Sequence, residues 1–346
     1  MSADPSRQLL SWAADTVGAD VIAVDSLHGD AGPWLVRFAA GGNWRKAVLR
    51  ATVGARANYP PHLPTGAAAL RVAEEHGLKA PRLIAADLDG QAAGVPATLE
   101  TVVPGSSTSP AVVSAERLRA AGAAIARAHQ VVIAPSADLP LRVRSLQGPA
   151  ELDEWALQRR WAALYRASPE DEKADVITAF AELTGMAASA ARESVMSTRS
   201  TALLQRADDT LRKCSRPDGE IVLVHADLWA GNMVWEGDTG VTLIDWKDSG
   251  VGDPGVDLGH LRMQMATQYG VDAAAHILDG WQREMGREAR HLPYWDVVAA
   301  VHTPTDLNDW APGFDEHGRQ VGSAVITARR DAFLRNALDQ LDPKTE

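Results

Sequence analysis

The chain has 346 residues, 46% of them apolar and 23% charged, with a formal net charge of −11; that length can hold two lobes with separate cores. No stretch approaches the roughly 18 uninterrupted apolar residues of a membrane span, and the acidic balance argues against a nucleic-acid partner. The single cysteine, Cys214, leaves no disulfide framework and no cysteine-based metal site; with no basic-then-apolar leader at the start, the expected compartment is the cytoplasm.

Residues 6–17 read as a short amphipathic helix with Leu9, Leu10, Ala13 and Val17 on one side. Strand-like pieces follow at 20–27, 34–39 and 45–52, the last two joined by a hairpin turn at Gly41-Gly42-Asn43. A helix is expected over 65–76, closed by Gly77 in the left-handed position that glycine adopts freely. Two more strands, 82–87 and 95–103, flank the turn Leu88-Asp89-Gly90. Pro104-Gly105-Ser106-Ser107 then marks a change to helical patterning. A long helix spans 114–131, with Leu118, Ala121, Ile125 and His129 at helical spacing. Residues 136–150 read as loop, 151–214 as two or three helices, and helices at 257–269, 273–287, 292–302 and 318–340 complete the chain.

Residues 221–258 carry the chemistry. Ile221-Val222-Leu223-Val224 reads as a buried strand delivering His225 and Asp227 to its end, with Asn232 five residues beyond Asp227. Met233-Val234-Trp235-Glu236 and Val241-Thr242-Leu243-Ile244 then form a hairpin around Gly237-Asp238-Thr239-Gly240. Folded on that four-residue loop, Glu236 faces Val241, Trp235 faces Thr242 and Asn232 faces Asp245. Directly opposed residues sit about 5 Å apart, so an amide and a carboxylate meet beside Asp227. Two converging oxygens suit Mg²⁺, which takes its remaining ligands from water and phosphates. Asp227 is left to accept a proton. A carboxylate ending an apolar strand is costly without a cation, so the pattern points to phosphoryl transfer.

These residues also carry a resemblance. His225-x-Asp227-x4-Asn232, Ile244-Asp245-Trp246 and Gly252-Asp253-Pro254-x-x-Asp257-Leu258 resemble the aminoglycoside phosphotransferase and choline kinase family of small-molecule kinases. Ala226 stands where protein kinases have Arg, and Trp246-Lys247 follows the metal Asp. The resemblance implies an α+β, bilobal protein-kinase-like fold. Its N-lobe, residues 1–102, would be an antiparallel sheet plus helix; its larger, mostly helical C-lobe would cover 103–346. The order of three strands, a helix and two strands fits such an N-lobe. No Ala-Pro-Glu follows the metal Asp, so no protein substrate is expected.

The resemblance assigns Asp227 as catalytic base and Asn232 and Asp245 as Mg²⁺ ligands. His225 braces the loop near the metal Asp. Asp257 reads first as a helix N-cap, and by resemblance also ties down the loop after Asp245. For ATP or GTP, strand alternation places Lys46, Val48 and Arg50 on one face, and Arg50 is the expected phosphate cation. Its usual helix Glu partner is missing, because the matching stretch reads Pro64-Thr65-Gly66-Ala67; another carboxylate must hold Arg50, or the helix lies differently. Gly29 and Gly32 would cover the phosphates, without forming a G-x-G-x-x-G. The linker 98–102 would offer backbone groups of Glu100 and Val102 to the adenine.

The acceptor is expected to be a small-molecule hydroxyl. The C-lobe tryptophans Trp155, Trp161, Trp281, Trp295 and Trp310 read as packing residues or pocket walls. Asp306, Asp309 and Asp315 read as an amine-binding cluster or a solvated loop, as do Glu151, Asp153 and Glu154. Antibiotics lead as acceptor, ahead of a housekeeping metabolite (choline, sugar amine or homoserine); a nucleotide-binding pseudokinase and a metal hydrolase are the rival readings.

Overall fold

The structure, a computed structural model, describes residues 4–27, 32–39, 45–52, 62–134, 136, 139–143, 154–214 and 217–341. Gly29, the turn at 41–43, Glu151 and Asp153 lie outside them.

Helix α1 (Arg7–Val17) is capped by Ser6, whose hydroxyl accepts the Leu9 N–H at 3.1 Å. Its buried face, Leu9, Ala13 and Val17, lies on an antiparallel sheet of β1 (Val21–Ser26), β2 (Trp34–Phe38), β3 (Lys46–Ala51), β4 (Leu83–Asp87) and β5 (Ala97–Thr101). The sheet runs in the order β1-β2-β3-β5-β4. Alternate residues Trp34, Val36 and Phe38, Ala47 and Leu49, and Ala97 and Leu99 fill its core, each full burial of a large apolar side chain contributing about 1.5–3 kcal/mol. Strand periodicity therefore turns the other set, Val48, Arg50, Thr98 and Glu100, to the opposite face. Helix α2 (His62–Glu75) comes between β3 and β4 and ends at Gly77, φ 68°.

The rest is mostly helical. Helix α3 (Ala115–His129), N-capped by Ser114, lies along α9 (Asp272–Met285). Gly122 and Gly280 permit that approach: a Cβ on Gly122 would stand 2.0 Å from the Ile277 carbonyl oxygen, and one on Gly280 2.0 Å from that of Arg119. Where two or three helices were expected over 151–214, four form: α4 (Glu154–Ala167), α5 (Lys173–Thr184), α6 (Ala188–Ser197) and α7 (Ala202–Lys213). Gly185, φ 68°, ends α5, and the Thr201 hydroxyl starts α7 by accepting the Leu204 N–H, so the apolar pattern is cut more often than periodicity suggests. Phe180, Ala191 and Val195 make a small core of their own with Trp161, whose ring centroid is 5.6 Å from that of Phe180.

Strands β6 (Arg142–Val143), β7 (Val222–Val224) and β10 (Gly250–Gly252) form a small sheet, and β8 (Met233–Glu236) pairs with β9 (Gly240–Leu243). Helices α8 (Gly255–Tyr269) and α10 (Leu292–Val301) follow the expected pattern. The last expected helix, 318–340, forms as α12 (Ser323–Leu341) and starts later than expected, and a short helix not anticipated, α11 (Ala311–Glu316), precedes it and stops before Gly318, φ 80°. The fold is the α+β, kinase-like one expected. No helix among the described residues is long and apolar enough to cross a membrane.

Candidate active site

Strand β7 is fully buried and delivers the segment His225–Asp227. Ala226 there takes a left-handed φ of 64°, a conformation alanine adopts at a cost of roughly 1–2 kcal/mol. Asp257 fixes the bend. Its buried carboxylate accepts the backbone N–H groups of His225 and Ala226, both at 2.7 Å, and His129 Nε2–H at 3.1 Å. The Trp281 indole, which can only donate, gives its N–H to His129 Nδ1 at 2.9 Å, so the other ring nitrogen carries the proton toward Asp257. Burial pushes the Asp257 carboxyl up, but these donors outweigh it and hold the group below its ordinary range. Asp257 therefore corrects both expectations. It does not cap its own helix, which starts after Pro254, and it ties the segment before Asp227, not the loop after Asp245. A first-turn acid reads as a cap from sequence because partners so distant along the chain leave no local trace.

His225 braces the strand end before Asp245: Nε2 donates to the Ile244 carbonyl at 2.8 Å, and its ring lies 4.8 Å from that of Trp246. The hairpin differs by one residue from the expected pairing. Glu236 pairs with Gly240 and Met233 with Leu243, because Gly237, φ 68°, turns the chain in a three-residue loop. Asn232 is thus opposite Ile244, whose N–H it accepts at 3.0 Å. Asp245 still reaches the same point because it leaves the strand in a left-handed conformation, φ 64°.

A chain of contacts joins the three residues. Asn232 Nδ2 donates to the Asp227 carbonyl at 2.7 Å and to Asp227 Oδ2 at 3.1 Å. Lys247 Nζ donates to that same Oδ2 at 3.0 Å and to Asp245 Oδ2. With its amide nitrogen committed to Asp227, Asn232 turns its oxygen to the cleft. Arg50 and Lys247 hold the Asp245 carboxyl down at about 2, against the upward push of burial. An ionised carboxylate and an amide oxygen lining one cleft form a donor set that fits Mg²⁺. Asp227 Oδ1 makes no hydrogen bond among the described residues.

That cleft, about 610 Å³, lies between the lobes. Val48 and Arg50 form part of its roof, Val102 its linker wall, and Asn232, Ile244 and Asp245 its floor. Arg50 Nη1 is 2.9 Å from Asp245 Oδ1, and its Nε is 3.1 Å from Glu100 Oε1. Burial depresses the guanidinium, yet Glu100 and Asp245 together raise it above its ordinary value. Glu100 is thus the carboxylate that replaces the missing helix Glu. Its place in the linker is corrected: it lies within β5, opposite Val48 and diagonal to Arg50, and its side chain, not only its backbone, serves the site. Gly32 has φ 77° and sits against the Trp34 ring, 2.8 Å from an added Cβ, so packing alone demands a glycine there. Asp306, Asp309 and Asp315 are exposed, with Asp315 in α11, while Trp281 and Trp295 are buried packing residues.

Sequence reasoning missed Lys247 as a site residue, although it stands two positions after Asp245. It also missed Asp248, which is 3.2 Å from Arg142 Nη1 and 3.4 Å from His62 Nδ1 at the start of α2. Glu316 and His317 line the cleft from the far end of the chain, and no local motif announces them.

Residues 23–296 match the model of the phosphotransferase enzyme family. No curated protein matches the chain in sequence. Among solved structures, a spectinomycin phosphotransferase in complex with ADP and spectinomycin is 16% identical, with a TM-score of 0.56 over 97% of this chain and 95% of that one. The macrolide 2′-phosphotransferase of Brachybacterium faecium is 18% identical, with a TM-score of 0.52 over 98% of each chain. A type I macrolide 2′-phosphotransferase is 20% identical, with a TM-score of 0.52 over 94% of this chain and 95% of that one. At such identities the likeness is one of fold. The family match runs from β1 into α10 and takes in every residue of the site described above except Glu316 and His317, and the chain therefore belongs to the phosphotransferase enzyme family as a small-molecule kinase.

Proposed function

We propose that the chain transfers the γ-phosphate of ATP or GTP to a hydroxyl of a small molecule, with Asp227 as base. The carrying observation is the Asn232 amide bonded to Asp227 Oδ2 at 3.1 Å while Asn232 and Asp245 line the same interlobe cleft. Asn232 Oδ1 and Asp245 would hold Mg²⁺, which neutralises phosphate charge when bound. Asp227, its Oδ2 fixed by Asn232 and Lys247, presents Oδ1 to the acceptor and takes the hydroxyl proton. The acceptor oxygen bonds to the γ-phosphorus as the bond to the β-phosphate oxygen breaks. Arg50 and Val102 line this cleft, where Arg50 would face the phosphates from β3 and Val102 would meet the base. Positioning and charge compensation supply most of the rate.

An antibiotic acceptor is supported by the spectinomycin and macrolide phosphotransferases that share the fold. The test is phosphate transfer from ATP and from GTP with Mg²⁺ to a panel of aminoglycosides, macrolides, spectinomycin, choline, ethanolamine and homoserine. Asp227→Ala should lower kcat by about 10²–10⁴-fold with nucleotide binding retained. Nucleotide binding with no transfer to any acceptor would favour a pseudokinase, and equal turnover by the variant would end the assignment of Asp227.

A further inference from the structure

We infer that Lys247 is the internal counter-ion of the catalytic carboxylates, and that a divalent metal must displace its ammonium from Asp245; the inference rests on the phosphotransfer reading of this site. The side chain is placed by neighbours on both sides. Trp246 is buried and donates its indole N–H to the Leu243 carbonyl at 2.9 Å. Asp248 is held by Arg142 at 3.2 Å. Gly66 of α2 lies against the backbone of Lys247, 3.4 Å from an added Cβ to its Cα. An ammonium has three donors, and three carboxylates stand within reach: Asp227 Oδ2 at 3.0 Å, Asp245 Oδ2, and Asp248 Oδ2 at 3.6 Å.

Arg50 is shared between Glu100 and Asp245 and Arg142 faces Asp248, leaving Lys247 as the cation on Asp227 while it shares Asp245 and Asp248. A divalent ion reaching Asp245 Oδ2 meets a cation already on that oxygen. Metal without nucleotide is therefore disfavoured, whereas metal arriving with phosphates brings the negative charge that offsets the repulsion. Lys247 can release Asp245 without losing compensation, because Asp227 and Asp248 remain on either side of it. Its bond to Asp227 Oδ2 keeps Oδ1 turned to the acceptor. Lys247 is thus a positioning residue that also makes metal entry depend on nucleotide.

Mn²⁺ binding, followed by the electron paramagnetic resonance signal of free Mn²⁺, tests this with and without ADP on wild type, Lys247→Met, Lys247→Arg and Asp245→Asn. Without ADP, Lys247→Met should bind Mn²⁺ at least about tenfold more tightly than wild type, and Lys247→Arg should match wild type. ADP should tighten Mn²⁺ binding much more in wild type than in Lys247→Met. Should the Met variant unfold, Lys247→Gln carries the same expectation. Equal or weaker Mn²⁺ affinity in the folded, charge-free variant overturns the proposal. If Asp245→Asn with ADP still binds Mn²⁺ like wild type, the metal reading itself falls; if it loses Mn²⁺ while Lys247→Met is unchanged, only the role of Lys247 falls.

Discussion

Replacing Asp257 by Asn probes the post on which the His225–Asp227 segment hangs. The carboxylate is fully buried and accepts the His225 and Ala226 N–H groups at 2.7 Å each and His129 at 3.1 Å. Asparagine keeps the shape but turns one oxygen into a donor, so at least one N–H faces another N–H. Hydrogen bonds to a charged acceptor contribute about 1.5–3 kcal/mol each. Losing one, and the charge on the others, should cost about 3–4 kcal/mol. The assay is urea unfolding at pH 7, read as a lower midpoint at unchanged slope. The pH dependence supplies a second check. The folded state holds Asp257 below its unfolded value of about 4, so its contribution is complete above that value and fades as pH falls through the folded one. The gap between wild type and Asp257→Asn should therefore narrow below about pH 4. A gap under about 0.5 kcal/mol at pH 7, or one unchanged at pH 3, would refute the reasoning.

Four other outcomes are expected. Glu100→Gln should cost about 1–3 kcal/mol in urea unfolding and raise the KM for nucleotide severalfold, since Arg50 keeps only Asp245. Asp245, held at about 2, stays ionised through the assay range, so activity should show no acid limb from this group above about pH 3; Asp245→Asn should abolish divalent-ion-dependent transfer, checked by titrating Mg²⁺. Gly122→Ala should destabilise by about 2 kcal/mol or more, because its Cβ would meet the Ile277 oxygen at 2.0 Å across the α3–α9 contact; thermal unfolding reads this. Ala226→Val, with a branched side chain at φ 64°, should lose about 2 kcal/mol and depress kcat together, and retained activity would show that the bend is not needed.

Much of this was legible because it is periodic or closely spaced. Alternation on β3 put Arg50 and Val48 on one face, and the other set, Ala47 and Leu49, is the one that is buried in the sheet's core. The Asp227–Asn232–Asp245 spacing located the cleft floor although the assumed pairing was one residue off, for the left-handed turn at Asp245 brings its carboxylate back. What stayed hidden depends on distance along the chain. The pairing of Glu100 with Arg50 was derivable from sheet order, had the β3–β5 neighbourhood been assumed. Asp257 gathers donors from α3 and from the end of β7, and Glu316 returns to the cleft from α11. No window of sequence contains those partners together.

The Arg50–Glu100 pair has one more consequence. Many protein kinases silence themselves by swinging a helix, which removes the acid that steadies the phosphate-facing cation. Here the acid beside Arg50 belongs to the neighbouring strand β5, so the pair does not depend on where α2 lies. The geometry of the pair is thus set by the sheet's own register, with Glu100 opposite Val48 and diagonal to Arg50, and not by the placement of a helix.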